Sequence, residues 1–263
     1  MGENRVQMSH KADPLVTLSV VSHGDTAKVN RLLDSVQDHE QASRLQIIVT
    51  DNLGQDFPEP DRSPWGMVTV LRNERPEGFA RNQNRAFRSA VTDYFCILNP
   101  DVVFEGEVFS YLIGLLKSGE ADIVAPLIVD SSGVVQDSFR DLPNPLELIR
   151  RRLPRYEPEL VSADASGIVH PDWLAGMFLL LRSNTYRQLG GLNEKYRLYF
   201  EDVEFCTRAR LSGLKLGLDT QVRIRHDAHR ASRKNIIYLL WHLQSAIRFF
   251  TSPVYKKAVQ RSK

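Results

Sequence analysis

Three apolar runs, each ending abruptly at polar residues, constrain this chain more than any other feature. "LVTLSVVSHGD" (15–25), "LQIIVTDN" (45–52) and "YFCILNPD" (94–101) carry the β-branched and aromatic density of buried strands. Between the first two lies "TAKVNRLLDSVQ", where Val29, Leu32, Leu33 and Val36 fall on one helical stripe that must cover a sheet. Strand, amphipathic helix and strand make a βαβ unit. Its continuation predicts an α/β fold with a mostly parallel central sheet and helices on both faces. In such sheets ligands bind beyond the carboxyl ends of the strands. Ser22-His23, Asp51-Asn52 and Asn99-Pro100-Asp101 would meet there.

The remaining pattern extends the scheme. "MVTVLR" (67–72) reads as a short strand, "GFARNQNRAFRSA" (78–90) as a loop entering a helix, and "EVFSYLIGLLKSG" as a helix stopped by Gly119 before strand "DIVAPLIVD". From Ser131 to Pro171 periodicity weakens around Pro143, Pro145, Pro154 and Pro158, which predicts an active-site flap. "WLAGMFLLLR" (173–182) predicts one strand, "DVEFCTRARLSG" a helix closed by Gly213, and "NIIYLLWHLQSAIRFF" an amphipathic helix. In that last helix Ile237, Leu240, Leu243 or Gln244, and Ile247 recur at helical intervals. The expected organisation is a flexible start (1–14), one domain (15–227) with a nucleotide-binding half (15–130) and an acceptor-side half (131–227), and a basic helical tail (228–263).

Composition narrows the class. With 42% hydrophobic and 25% charged side chains the chain has an ample core, which excludes disorder as a whole. Cys96 and Cys206 both sit in apolar segments, so two buried thiols in a reducing compartment are expected and a disulfide framework is not. The first ten residues lack an apolar signal core, and no run approaches the ~18 apolar residues of a membrane span. A cytoplasmic protein is expected. The net charge of +2 conceals an asymmetry: residues 228–263 hold eight Lys and Arg and no Asp or Glu, leaving the rest net acidic. That tail suggests an anionic partner, a membrane surface or nucleic acid. Tyr238, Trp241, Phe249 and Phe250 suit an interfacial helix, and packing of the same stripe on the core is the rival account.

Several constellations bear chemistry, each with a plainer reading beside it. Pro100 has no amide hydrogen and holds its predecessor extended, so the strand ends and Asp101 is presented at the sheet's edge. One carboxylate with nucleotide phosphates and water suits a magnesium ion, while a turn Asp capping local amides is the plainer alternative. Asp51 admits the same two readings, base or ribose contact against turn formation. Glu201 and Asp202 stand where a helix begins; helix capping accounts for them, and so does a general base for a sugar hydroxyl. His226 and His229 lack HExxH or cysteine partners for zinc. A single histidine joining Asp101 on a phosphate-bound metal is more economical, with Arg230 and Arg233 available for phosphate oxygens. A GxGxxG fingerprint, a P-loop and a GxSxG elbow are all missing, and the aromatic-interleaved motifs of RNA readers are absent, so nucleic acid is not the expected partner.

In their order, "VSHG", "IIVTDN", "GFARNQN", "LNPDV", "WLAGMFLLLR", "GGLNEKYRLYFEDVEFCTRARLSG" and "HRASRKN…WHLQSAIRFF" resemble the family 2 glycosyltransferases of GT-A fold. Within them they resemble the bacterial rhamnosyltransferases of O-antigen and cell-wall linker assembly. The resemblance spans roughly Leu15 to Tyr255. It implies that Asp51 contacts the base with Ser22, His23 and Asn52 lining the same pocket, and that Gly78, Phe79 and Asn84 border the nucleotide. "NPD" stands where other members carry Asp-x-Asp, so Asp101 would hold Mg²⁺ or Mn²⁺, with Asn99 near the ribose or metal waters and His226 completing the shell. Asp202 would be the catalytic base supported by Glu201, and Trp173, Gly176 and Met177 would face the acceptor. The implied reaction is inverting transfer of L-rhamnose from dTDP-L-rhamnose to GlcNAc-diphospho-polyprenol, at the inner face of the plasma membrane. Another nucleotide sugar, or a catalytically silent sugar-nucleotide-binding protein, is the alternative. Two positions depart from the family pattern on the donor side: Gly54 replaces a serine in "DNLGQD", and Pro76 replaces an asparagine in "PEGF".

Overall fold

The computed structural model describes residues 15–54, 64–150, 163–226 and 236–261. Strand β1 (Val16–Ser22) is buried at all its positions, as a central strand covered on both faces must be. Helix α1 (Thr26–His39) lays Val29, Leu32, Leu33 and Val36 into the core, the stripe expected from spacing alone. A 3₁₀ turn leads into β2 (Leu45–Asp51), which pairs in parallel with β1 and with β3 (Met67–Arg72). Helix α2 (Phe79–Phe87) follows, then β4 (Tyr94–Leu98) on the other side of β1. Beneath α2 the contact is polar: Ser19 Oγ donates to Gln83 Oε1 at 2.5 Å, and Thr17 Oγ1 to Gln46 Oε1 at 2.6 Å. Buried polar groups paired in this way fix register as well as avoid a desolvation penalty.

The short β5 (Val102–Phe104), α3 (Phe109–Ser118) and β6 (Ile123–Val129) complete the first half. Helix α3 ends at Gly119, whose φ of 77° is the left-handed cap expected from sequence. The second half holds β7 (Phe139–Arg140), α4 (Pro145–Arg150), β8 (Ile168–Val169), β9 (Trp173–Leu174), β10 (Phe178–Arg182), α5 (Ser183–Gln188), α6 (Glu201–Leu211) and β11 (Leu216–His226). Helices α7 (Ile236–Thr251) and α8 (Pro253–Arg261) close the described chain. The main sheet runs β3-β2-β1-β4-β10-β6-β11-β5, with β8 on β11. β10 is antiparallel to both neighbours, β4 and β6, and this reversal separates a parallel half from a mixed half. The mostly parallel α/β architecture is the expected one.

One expected element is built differently. "WLAGMFLLLR" is two strands, because Ala175 N–H donates to Ser138 O (2.8 Å) and Gly176 N–H to a side chain, turning the backbone out of any ladder between them. β9 pairs instead with β7 in a separate two-stranded ribbon. β11 has no clean apolar alternation: Leu216, Leu218, Val222 and Ile224 are buried, but pairing with β6 shifts register between Asp219 and Arg223. The tail is docked on the domain: Arg261 Nη1 donates to Leu211 O at 2.7 Å, and the Tyr255 ring packs on Phe249 and Phe250. The flap between Ser131 and Pro171 is partly ordered into β7, α4 and β8, with Phe139 and Arg140 buried; residues 151–162 lie outside the described ones.

Candidate active site

Asp101 sits in the turn between β4 and β5, just past Pro100, where the strand-ending proline was expected to put it. The antiparallel register of β11 with β5 sets His226 opposite Val102. That register brings His226 Nε2 to 3.0 Å from Asp101 Oδ1, across 125 residues of sequence. Burial alone would raise the Asp101 carboxyl; the hydrogen bond and charge of His226, with Lys28 beyond, outweigh it and hold the group below its ordinary value. Asp101 Oδ1 is buried and has no other hydrogen-bond partner among the described residues. Adjacent ligands on an octahedral ion with bonds of about 2.1 Å are themselves about 3.0 Å apart, so the pair fits two neighbouring positions of a Mg²⁺ or Mn²⁺ shell. No group of three or more His, Cys, Asp or Glu converges among the described residues.

Asp202 lies on the first turn of α6 and is half-buried. Its Oδ2 accepts the Gly176 N–H at 2.9 Å and its Oδ1 the Val203 N–H at 2.8 Å. Burial raises its carboxyl above the ordinary range, and the two backbone donors only partly oppose that. Its neighbour Glu201 is 5% exposed, with Oε2 lacking a partner among the described residues. Burial first, then the charge of Asp202, pushes the Glu201 carboxyl well up. One segment joins the two acids. Met177 O accepts the Asn99 N–H at 3.0 Å, so the corner Ala175–Met177 holds Asp202 on one side and the Asn99–Asp101 turn on the other.

The turn that launches α6 is strained. Tyr199 (φ 68°) and Phe200 (φ 65°) are both left-handed, a conformation costing about 1–3 kcal/mol for each such residue. Helix α7 holds them. Ser245 Oγ donates to Leu198 O at 2.9 Å, His242 packs on both rings, and Phe249 and Phe250 pack on Phe200.

On the donor side, Ser22 and Asp51 are paired across β1 and β2, and Ser22 Oγ is buried without a partner among the described residues. Asp51 Oδ1 accepts the Leu53 and Gly54 N–H groups at 3.2 and 3.1 Å, so the turn-forming reading is realised in one of its oxygens. Gly54 is left-handed (φ 64°), and a Cβ there would lie 2.8 Å from Asn73 O; the departure from serine follows from that close approach. Asn52 is consumed by the protein: its Oδ1 accepts Glu77 N–H and Asn73 Nδ2, and its Nδ2 donates to Glu77 O and to His23 Nε2 at 3.0 Å. It therefore orients His23, whose imidazole is held below its ordinary value by burial and then by the charge of Arg197.

Gly78 is required because a Cβ would meet Arg197 O at 2.9 Å, where Phe79 N–H donates at 3.0 Å. The Phe79 ring and Asp202 both approach Gly176 within about 4 Å of where a Cβ would stand, which brings the start of α2 beside the start of α6. Asn84, expected at the nucleotide, instead ties α2 to the chain before α6. Its Nδ2 donates to Leu192 O and Glu194, and its Oδ1 accepts from Leu192 N–H and Tyr186. With its amide engaged in that tie, its local role is structural.

On the acceptor side Trp173 is buried in the β7–β9 ribbon with Nε1 lacking a partner among the described residues, and Met177 is partly buried beside Gly176. Arg230, Arg233 and His229 lie outside the described residues. Sequence reading passed over Arg197, whose guanidinium stacks 4.7 Å over Trp241 and whose charge reaches His23. It also passed over Gln136, which contacts His226 through both amide atoms. Neither stands in a motif.

A mostly parallel α/β sheet with an acid and a histidine beyond its strand ends and a half-buried acid at a helix start offers a polar crevice for a ligand. The glycosyl transferase family 2 profile matches residues 20–184, more than half the chain, and the chain belongs to that family: it is a glycosyltransferase. Among curated relatives it is 26% identical to rhamnosyltransferase WbbL of Escherichia coli K12, over 89% of this chain and 92% of that protein. It is 29% identical to the N-acetylglucosaminyl-diphospho-decaprenol L-rhamnosyltransferase of Mycobacterium tuberculosis, over 78% of this chain and 74% of that one. Among solved structures it is similar in fold to GalNAc-T7 with UDP, GalNAc and Mn²⁺ (TM-score 0.63, 16% identity, 81% of this chain and 43% of that one). It is also similar to the Pyrobaculum calidifontis mannosyltransferase PcManGT with GDP-Man and Mn²⁺ (TM-score 0.59, 16% identity, 95% of this chain and 69% of that one).

Proposed function

We propose that the chain transfers L-rhamnose from dTDP-L-rhamnose to a hydroxyl of GlcNAc-diphospho-polyprenol, by single displacement with inversion, in the assembly of a cell-surface polysaccharide. The donor and acceptor rest on the names of the two rhamnosyltransferase relatives. The observation that carries the mechanism is the corner Ala175–Met177, which ties Asp202 through Gly176 and the Asp101 turn through Met177. A base and a charge clamp must act on opposite ends of one reacting sugar, and a shared backbone corner fixes their separation.

In this reading Asp202 accepts the proton of the acceptor hydroxyl as the new glycosidic bond forms, and the bond to the nucleotide diphosphate breaks on the opposite face of the sugar. The two N–H donors on Asp202 favour its ionised form against its burial. Asp101 Oδ1 and His226 Nε2 hold Mg²⁺ or Mn²⁺, with Asn99 beside them. A divalent cation bound there offsets the charge growing on the departing dTDP. Ser22, His23 and Asp51 line the base and ribose side, Phe79 closes it near Gly176, Trp173 and Met177 face the acceptor, and Arg230 and Arg233 bind phosphate. Glu201, buried with its carboxyl pushed up, supports Asp202 in protonated form.

The lipid-linked acceptor calls for a membrane surface. Among the described residues no helix is long and apolar enough to cross a membrane. One face of α7 buries Ser245, Ala246 and Phe249 against the domain, while Ile236, Ile237, Leu240, Leu243 and Ile247 are at least half exposed. Of the aromatic stripe, Phe249 is buried and Phe250 packs on the core, so the rival account holds for those two, while the row through Leu240 and Leu243 is outward. An exposed apolar helix face in a basic tail suits peripheral contact with an anionic bilayer at the cytoplasmic side.

The test is a panel of dTDP-, UDP- and GDP-sugars offered with and without GlcNAc-diphosphate-lipid and with and without Mn²⁺. Product from dTDP-rhamnose alone is expected; product only from another donor would replace the donor assignment. Calorimetry of dTDP binding to Asp101→Ala is expected to show no metal dependence, and a metal dependence equal to wild type would remove Asp101 from the site.

A further inference from the structure

His226 arrives at Asp101 by strand register, yet register alone does not decide which ring nitrogen carries a hydrogen. Gln136 decides it. Its Nε2 lies 2.7 Å from His226 O, a carbonyl that can only accept, so the NH₂ end of the amide must face that carbonyl. Its Oε1 then lies 2.8 Å from His226 Nδ1. An amide oxygen can only accept, so Nδ1 must carry the hydrogen. In the neutral ring this leaves the lone pair on Nε2, the nitrogen 3.0 Å from Asp101 Oδ1. Two lone pairs would then face one another, an arrangement that a proton on Nε2, hydrogen-bonded to Asp101, or a metal cation bound by both makes favourable.

The segment holding Gln136 is itself built to stay in place. Its N–H donates to Ile128 O at 2.8 Å, and Val129 and Val135 form a bridge across the turn. Within that turn Asp130 Oδ1 accepts from Ser132 N–H, Ser132 Oγ and Val134 N–H, at 2.9, 2.6 and 3.0 Å. Gly133 (φ 81°) supplies the left-handed residue that the turn requires. The end of β6 thereby carries a fixed amide to the last described residue of β11.

We propose that Gln136 is the positioning residue of the cation site: it locks His226 in the Nδ1–H tautomer and turns its Nε2 lone pair toward the place beside Asp101 where a divalent cation binds. The role rests on the metal reading of Asp101 and His226 above. Metal-bound histidines depend on such a partner at the other nitrogen, and losing one costs about 10–100-fold in metal affinity.

Two measurements on the full chain test it. In the metal-free protein at alkaline pH, long-range ¹H–¹⁵N NMR of the His226 ring is expected to show the Nδ1–H form in wild type and in Gln136→Glu, which keeps an acceptor at that position. Gln136→Leu is expected to lose that preference. Mn²⁺ titration, followed by the electron paramagnetic resonance of free Mn²⁺, is expected to show about 10–100-fold weaker binding in Gln136→Leu and recovery toward wild type in Gln136→Glu. Circular dichroism confirms that each variant is folded. An Nε2–H ring in wild type overturns the proposal. So does wild-type Mn²⁺ affinity in Gln136→Leu when His226→Ala has lost it. Unchanged affinity in His226→Ala overturns the metal reading and this role together, and the NMR spectra separate that outcome from a failure of the Gln136 geometry.

Discussion

Replacing Asp202 with asparagine probes chemistry and packing at one atom. The aspartate uses one oxygen for Gly176 N–H and the other for Val203 N–H. An asparagine has a single carbonyl oxygen, so one backbone donor would face an NH₂ group, at a cost of about 1–3 kcal/mol for a buried unsatisfied donor. Glu201, pushed up into its protonated form, carries no charge whose repulsion the change would relieve, so the melting temperature is expected to fall by a few degrees. Activity should fall much further. Loss of a positioned general base costs about 10²–10⁴-fold, or roughly 3–5 kcal/mol on the barrier.

The assay is transfer rate at saturating donor, with donor affinity measured separately by calorimetry. A kcat reduced at least a hundredfold with donor affinity intact is the expected result. Because burial raises the Asp202 carboxyl, its base form accumulates only as pH rises past a value above the ordinary aspartate range. The wild-type rate should therefore fall on the acid side at a higher pH than a solvated aspartate would give, and that limb should vanish in the variant. A variant that turns over near the wild-type rate would refute the assignment of the base.

Three further outcomes follow from the geometry. The folded-state carboxyl of Glu201 is raised by burial and by Asp202, so its contribution to stability is present below the unfolded value of about 4.3 and is lost as pH rises through the folded one. Glu201→Gln escapes that loss, so thermal scans at rising pH should show it gaining on wild type, and a pH-independent gap would contradict this. Gly54→Ala puts a Cβ 2.8 Å from Asn73 O at a φ of 64°, which should cost about 1–3 kcal/mol and lower the melting temperature by several degrees; an unchanged melting curve would show that the turn relaxes freely. Leu240→Asp combined with Leu243→Asp alters an exposed face of α7, so it should abolish flotation on anionic liposomes and leave the melting temperature in place. Equal flotation of the variant would reject the membrane contact.

The parallel half of the molecule was readable because its signals are local. Strand β1 is rich in β-branched residues and buried at every position since both its faces are covered, and α1 repeats its apolar residues at the helical period because one face packs on the sheet. Pro100 ends β4 by removing a donor, a property of one residue that needs no partner. The mixed half was read less well. β11 takes its burial from β6, β5 and β8 at once and carries charged and polar residues through a register shift, so no period survives in it. The single strand expected at 173–182 breaks because Asp202, 26 residues on, accepts the Gly176 N–H that a ladder would have used.

Side-chain roles divide along the same line. That Asp101 stands at a strand end, and Asp202 at a helix start, was fixed by the residues on either side of each. Which polar side chains are free for chemistry was not. Asn52 and Asn84 look alike in sequence as nucleotide contacts, yet the fold spends one on orienting His23 and the other on tying α2 to the chain before α6. Gln136 looks like nothing in particular until β6 and β11 lie side by side. The sequence by itself determined the order of elements and the edge where polar residues gather, because propensity and period act over a few residues. Only tertiary structure decided the pairing of Asp101 with His226, the corner that joins both acids, and the tautomer imposed by Gln136, because each depends on a contact whose partners are distant in the chain.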